Sequence, residues 1–210
     1  MKAMRIAAAA MLMLLVGSAN MYAQSLSQEE KEELQMRARQ KIEDFQGHLS
    51  TIASRDMPQE NKATARKAAL NLFIGKGEAY QYTDAYGNRL RHDPVKMQVS
   101  SKTTRRVNTR LMKSYLVSLG NMARYTKVVI ENADVVRVDN IHETADGQYE
   151  AVAYFSQKFI GYRDGRILYT DVTEKKVRIY VDRTAVPMPD GNSQIIWKVL
   201  LGDIYVVDTY

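Results

Sequence analysis

The chain contains no cysteine. That excludes a disulfide framework, a thiolate metal site, a cysteine nucleophile and a lipid-bearing cysteine. Histidine is nearly as scarce, with only His48, His92 and His142 present, and no two of them stand at metal-ligand spacing. H-E-x-x-H, G-x-S-x-G and a phosphate-cradling glycine loop are missing as well. No metal or cofactor is expected, and no catalytic constellation can be assembled from motifs. Long apolar runs are absent but for one. Ile6 to Val16 carries no charge, yet it is roughly half of the 20 or so residues a membrane-crossing helix needs.

That run follows Lys2 and Arg5 and precedes the small residues Gly17-Ser18-Ala19 and Ala23, which is the layout of a secretory signal peptide. A cut after Ala23 sends Gln24 straight into the first helix signal; a cut after Ala19 has the better small-x-small pattern. The expected organisation is a leader over residues 1–23 and one exported α+β domain over 24–210, periplasmic or secreted, with no stable membrane anchor after cleavage. A chain of that length can bury a core without disulfides. Its formal charge of +6 falls to +4 once Lys2 and Arg5 are removed. This is modest, and export makes nucleic acid a poor partner.

Ser27-Gln28-Glu29-Glu30 is a capping box, in which serine and glutamate satisfy each other's backbone N–H groups at a helix start. Leu34, Ala38, Ile42, Phe45, Leu49 and Ile52 then recur at steps of three and four, predicting an amphipathic helix over 27–54. Asp56-Met57-Pro58 breaks it. A second helix is predicted over 59–74, with Ala65, Ala68, Ala69, Leu72 and Phe73 inward, ended by Gly75 and Gly77. Short strands follow at 79–83 and 95–100, around a turn at Tyr86-Gly87-Asn88. A third helix is expected over 105–123, opened by a basic cluster of Lys102, Arg105, Arg106, Arg110 and Lys113, with Val107, Leu111, Tyr115, Leu116, Leu119 and Met122 on one face.

The rest reads as β: short strands at 127–130 and 135–141, then long ones at 148–162 and 166–183. The long pair is joined by Arg163-Asp164-Gly165, whose Asp-Gly is a strong hairpin signal. Val177, Ile179 and Val181 alternate with Lys176, Arg178, Tyr180 and Asp182, so one face is buried and the other wet. In the final strand, Ile195, Trp197, Val199 and Leu201 hold odd positions; beyond Gly202, Ile204 and Val206 hold even ones. The inward face has slipped by one residue, as at a β-bulge, and a bulge in so long a strand implies a strongly curved sheet.

Helices first, then a meander of long strands ending in Ile196-Trp197-Lys198-Val199 and Gly202-Asp203-Ile204, resembles the NTF2-like (nuclear transport factor 2-like) superfold. The resemblance covers residues 27–210 as a pattern of elements and implies N-terminal helices packed on a strongly curved antiparallel β-sheet, a cone with an open mouth. A cystatin-like helix-on-sheet arrangement is the alternative. Such folds host enzymes, carriers and interaction modules alike, so the fold does not select a function.

Candidate site residues are therefore weighed singly. His92, beside Asp93 in a loop near Tyr80, Tyr82 and Tyr86, is the histidine best placed for acid–base chemistry. The resemblance implies that an enzyme of this kind would use an acid on an inward strand position, where Asp171 and Asp203 are candidates. Asp171 is expected to share a face with Ile167 and Tyr169, and a buried carboxylate there would have a raised pKa. Asp203 is expected to bond the backbone exposed by the bulge. Thirteen tyrosines, with Tyr154, Tyr162 and Tyr169 on strands beside Trp197, suit a pocket or an interface.

Three functions follow. The first is a non-catalytic interaction module that meets a protein partner, or its own twin as a homodimer, through the outer sheet face at Tyr154 and Tyr162. The second is a small-ligand carrier with a tyrosine-lined cone, which needs a cavity of several hundred Å³. The third is an isomerase or hydrolase built on Asp171 or His92.

Overall fold

The computed structural model describes residues 25–84, 86–188 and 193–210. The expected leader lies outside the described residues. Helix α1, Gln28–Ala53, opens on the anticipated capping box: Glu30 N–H donates to Ser27 Oγ at 3.2 Å, and Ser27 N–H donates to Glu30 Oε2 at 2.8 Å. All six residues of its apolar stripe are buried. Helix α2, Gln59–Leu70, buries Ala65 and Ala69. It ends earlier than its periodicity suggests, because Ile74–Gly77 forms a 3₁₀ turn and Phe73 instead packs edge-on against Phe45, with centroids 5.1 Å apart.

Strands β1, Tyr80–Thr83, and β2, Arg89–His92, make a separate two-stranded ribbon. The Asp84 carboxylate holds the turn between them, accepting the N–H groups of Tyr86 at 2.9 Å and Asn88 at 2.7 Å. His92 is therefore a strand residue rather than a loop residue. Strand β2 is polar and exposed, so no alternation marked it.

Strands β3, Lys96–Val99, and β4, Asn108–Leu111, pair antiparallel, and α3 runs only over Met112–Gly120. The third helix is thus shorter than expected. The ladder to β3 takes residues 108–111, and the Met112 N–H is taken by the Val95 carbonyl at 2.8 Å. Val107 and Leu111 are exposed rather than inward, and the basic cluster lies mostly in the loop and strand ahead of the helix.

Three short strands, β5 (Lys127–Asn132), β6 (Arg137–Val138) and β7 (His142–Glu143), lie in succession along one edge of β8, Tyr149–Arg163. Strand β8 turns into β9, Arg166–Pro187, through Asp164 and Gly165, both at positive φ (52° and 78°) as a two-residue hairpin demands. Strand β10, Ser193–Thr209, completes an eight-stranded sheet whose main order is β4-β3-β10-β9-β8-β5. The sheet is mixed rather than wholly antiparallel, because β3 runs parallel to β10, with Met97 opposite Ile204.

The bulge foreseen at Gly202 is present. Leu201 faces Ile179 and Ile204 faces Val177, so three steps on β10 match two on β9. A second irregularity, between Gly161 and Tyr162, adds one residue to β9. Ile167 consequently pairs with Tyr162 and is exposed, instead of sharing a face with Asp171. One core unites the helices with the inner sheet face, including Ala151, Ala153 and Phe155 of β8, Val177, Ile179 and Val181 of β9, and Val199, Leu201 and Ile204 of β10. None of the described helices is long and apolar enough to cross a membrane.

Candidate functional site

Along the inner face of β9 the odd positions run Asp171, Thr173, Lys175, Val177, Ile179 and Val181, and all are buried. The hydrophobic half belongs to the core that unites the helices with the sheet. The polar half sits where α3 and the segment 99–104 cover the sheet, and there it forms the floor of a cavity of about 510 Å³. Tyr115, Leu119 and Met122 from the α3 side, with Tyr125 and Phe159, supply apolar and aromatic wall, and Arg110 and Arg124 also line it. Tyr125 and Phe159 meet edge-on at 5.6 Å. The Tyr125 ring packs directly on Gly161, the reason that position has no side chain: a Cβ there would lie 2.5 Å from Tyr125 Cδ1.

The polar groups on the floor satisfy one another. Tyr169 donates its phenolic proton to Asp171 Oδ2. Its oxygen accepts the Lys102 N–H at 3.1 Å and stands 2.9 Å from Ser101 Oγ, which is left to donate. Burial raises the Asp171 carboxyl above its ordinary value, while the Tyr169 hydroxyl and the charges of Lys175 and Lys102 pull the other way. Lys175 is 5% exposed and its ammonium donates to Gln157 Oε1 at 2.6 Å. Among the described residues it forms no ion pair with Asp171. Burial pulls Lys175 from 10.5 down to about 7, against the attraction of Asp171. The Tyr115 phenol, on a partly buried side chain, is pushed up by desolvation. The cavity thus holds an amine that is half free near neutrality, a carboxyl that ionises reluctantly and two phenols that stay protonated.

Asp171 and Tyr169 meet in this cavity. His92 and Trp197 do not join them. They line a different cleft of about 780 Å³, with Tyr80, Tyr82, Tyr149, Asp146 and Asp182. There His92 stacks on Tyr82 at 4.8 Å and meets the edge of Tyr180 at 4.9 Å. Burial lowers its pKa and favours the neutral ring; among the described residues no bond joins it to Asp93. Asp203 bonds backbone, as foreseen, but that of the neighbouring strand: it accepts the Lys96 N–H at 2.7 Å and the Tyr205 hydroxyl at 3.0 Å.

Tyr154 and Tyr162 lie on the outer sheet face, and each ring carries a cation. The Arg137 guanidinium stands 4.4 Å from the Tyr154 centroid and the Lys127 ammonium 5.7 Å from that of Tyr162. Such contacts cover the ring faces that an interface anchor would present. Among the described residues no group of three or more acids and histidines could hold a metal.

Lys175, Gln157 and Tyr115 were not singled out from the sequence. The signal for Lys175 was parity, since it shares odd numbering with Val177 and Ile179 on one uninterrupted strand. Compared with family models, with curated proteins and with solved structures, the chain matches none.

Proposed function

We propose that this chain is an exported ligand-binding domain of NTF2-like architecture, holding a small amphipathic anion in the cavity between α3 and the sheet. The observation that carries the reading is the cavity itself. Its volume of about 510 Å³ falls within the range of small-molecule sites, and it combines aromatic and aliphatic walls with a few convergent polar groups. Arg110 and Arg124 on the lining, with Lys102, Arg105 and Arg106 on the adjoining segment, favour a negatively charged ligand. The apolar part of that ligand would lie against Leu119, Met122 and Phe159. The leader pattern over residues 1–23 supports export, and the element order with the bulge in its final strand supports the NTF2-like cone.

The test uses 8-anilinonaphthalene-1-sulfonate, an aromatic sulfonate, titrated into the purified protein and followed by fluorescence. One saturable site is expected. Replacing Arg110 and Arg124 together by alanine removes charge-assisted bonds worth roughly 1.5–3 kcal/mol each, so affinity should fall by at least roughly a hundredfold. Equal affinity in the double variant would overturn the reading.

Self-association or partner binding through the outer sheet face stands as a second reading. It is favoured by the exposed Ile167 and Leu168, 60% and 45% accessible, on the hairpin that also carries Tyr162.

A further inference from the structure

The lining of the cavity under α3 contains a functional group that anion binding does not use. Among the described residues, Lys175 presents a primary amine bonded to Gln157 alone, in a space large enough to admit a second molecule. We infer that Lys175 is a covalent site for carbonyl compounds, condensing with an aldehyde or ketone to form an imine inside the cavity. This rests on reading the cavity as a ligand pocket and adds the reactive group of the ligand to it.

Three observations carry the inference. The amine is reachable, because Lys175 lines the cavity although its side chain is buried on the strand. It is in its nucleophilic form, since desolvation holds its pKa near 7 and leaves about half of it unprotonated at neutral pH. The hydrogen-bond acceptor that holds it is a neutral amide oxygen rather than a carboxylate. That fixes the nitrogen in place without forcing it to stay an ammonium. A lysine paired directly with an acid would lose that freedom.

The groups needed to move protons lie in the same space. The amine lone pair adds to the carbonyl carbon, and the carbonyl electrons pass to the oxygen, which takes up a proton. The nitrogen then releases a proton, giving a neutral carbinolamine. Protonation of its hydroxyl lets it leave as water while the nitrogen lone pair forms the C=N bond, and the resulting iminium nitrogen gives a proton back to the acid that protonated the hydroxyl; the net change is loss of one water. Asp171 and Tyr169 border the cavity and form a bonded pair whose carboxyl burial raises above its ordinary value. They are the acid and relay available to the departing oxygen. Tyr115 and Phe159 supply apolar wall beside it.

The experiment uses the mature protein with 4-carboxybenzaldehyde as probe, an aromatic aldehyde carrying an acid, in the presence of cyanoborohydride at neutral pH. The reductant converts an imine into a stable amine, which peptide mapping by mass spectrometry locates. Ordinary lysines are almost wholly protonated at pH 7, so labelling at Lys175 should outrun that at surface lysines by on the order of 100-fold. Anilinonaphthalene sulfonate should compete with it. Lys175→Arg and Lys175→Met should lose the fast label, and because the site is mapped on the unaltered protein the result does not depend on either variant folding. Labelling spread over surface lysines without enrichment at Lys175 overturns the inference. If the sulfonate still binds in that case, the pocket reading survives alone; if it does not bind, both fall.

Discussion

Replacing Lys175 by methionine should flatten the rise of stability with pH, and the size of the change follows from its burial. In the unfolded chain a lysine keeps its proton to about pH 10.4. In the folded protein Lys175 gives it up near 7. Below pH 7 both states are protonated, and folding bears the full cost of burying an ammonium. Between 7 and 10.5 the unfolded state binds the extra proton, so stability climbs with pH at about 1.4 kcal/mol per pH unit. Over the whole interval that is on the order of 5 kcal/mol. Measured only to pH 9.5 it is about 3.5 kcal/mol, a rise of roughly 1–2 M in the urea midpoint for a domain of this size. The upper limit keeps other groups out of the window. Tyr115 and Tyr169, which border the same space, are both raised above 10.

The assay is urea unfolding followed by circular dichroism at half-unit steps from pH 6 to 9.5, for the natural chain and Lys175→Met. The difference between the two curves isolates the lysine, because every other group is common to both. The natural protein should gain stability against the variant steadily above pH 7. Parallel curves would mean that Lys175 stays protonated through the window, and its chemistry as a free amine would be refuted with it.

Two further outcomes follow from the packing. Gly161→Ala forces the Tyr125 ring aside, costing about 1–3 kcal/mol, or about 2–4 °C in melting temperature per kcal/mol; in a Tyr125→Leu background the same change should cost far less, and an equal cost would show that the ring does not dictate the glycine. Tyr154→Lys combined with Tyr162→Lys should leave the fold and sulfonate binding intact, and should convert any dimer seen by native mass spectrometry into monomer if the outer face is the interface; a dimer that survives removes that face from consideration.

Legibility in the sequence followed how directly a residue's neighbours along the chain set its environment. Ser27 and Glu30 satisfy each other three residues apart, so the start of α1 could be read locally. Asp164-Gly165 supplies two positive φ angles and nothing else suits it so well. The parity switch at Gly202 betrayed the bulge, because side-chain direction alternates strictly on a strand. Strand β4 was misread because Val107 and Leu111 stand at helical spacing, while a distant partner, β3, decides their conformation. Strand β2 has Leu90 as its one apolar residue among Arg89, Arg91 and His92, too little alternation to read. The floor of the cavity falls between these cases. Asp171 stands out as an acid on an inward position, whereas nothing near Lys175 in the sequence marks it as interior. Lysine in a run of charged residues normally is surface, and only the cover supplied by α3 and residues 99–104 makes it interior. The extra residue at Leu168 likewise hid the separation of Ile167 from Asp171.

Strand β10 lies in the middle of the sheet, between β3 and β9, although β3 precedes it by about a hundred residues. An emerging chain can close the β8–β9 hairpin early, because its contacts are local. The ribbon of β3 and β4 has no seat on the sheet until residues 193–209 are free to insert between it and β9. The order of assembly is therefore dictated from the far end: a chain held in a narrow passage stays open on its longest edge, and shuts in one late step once that strand is released.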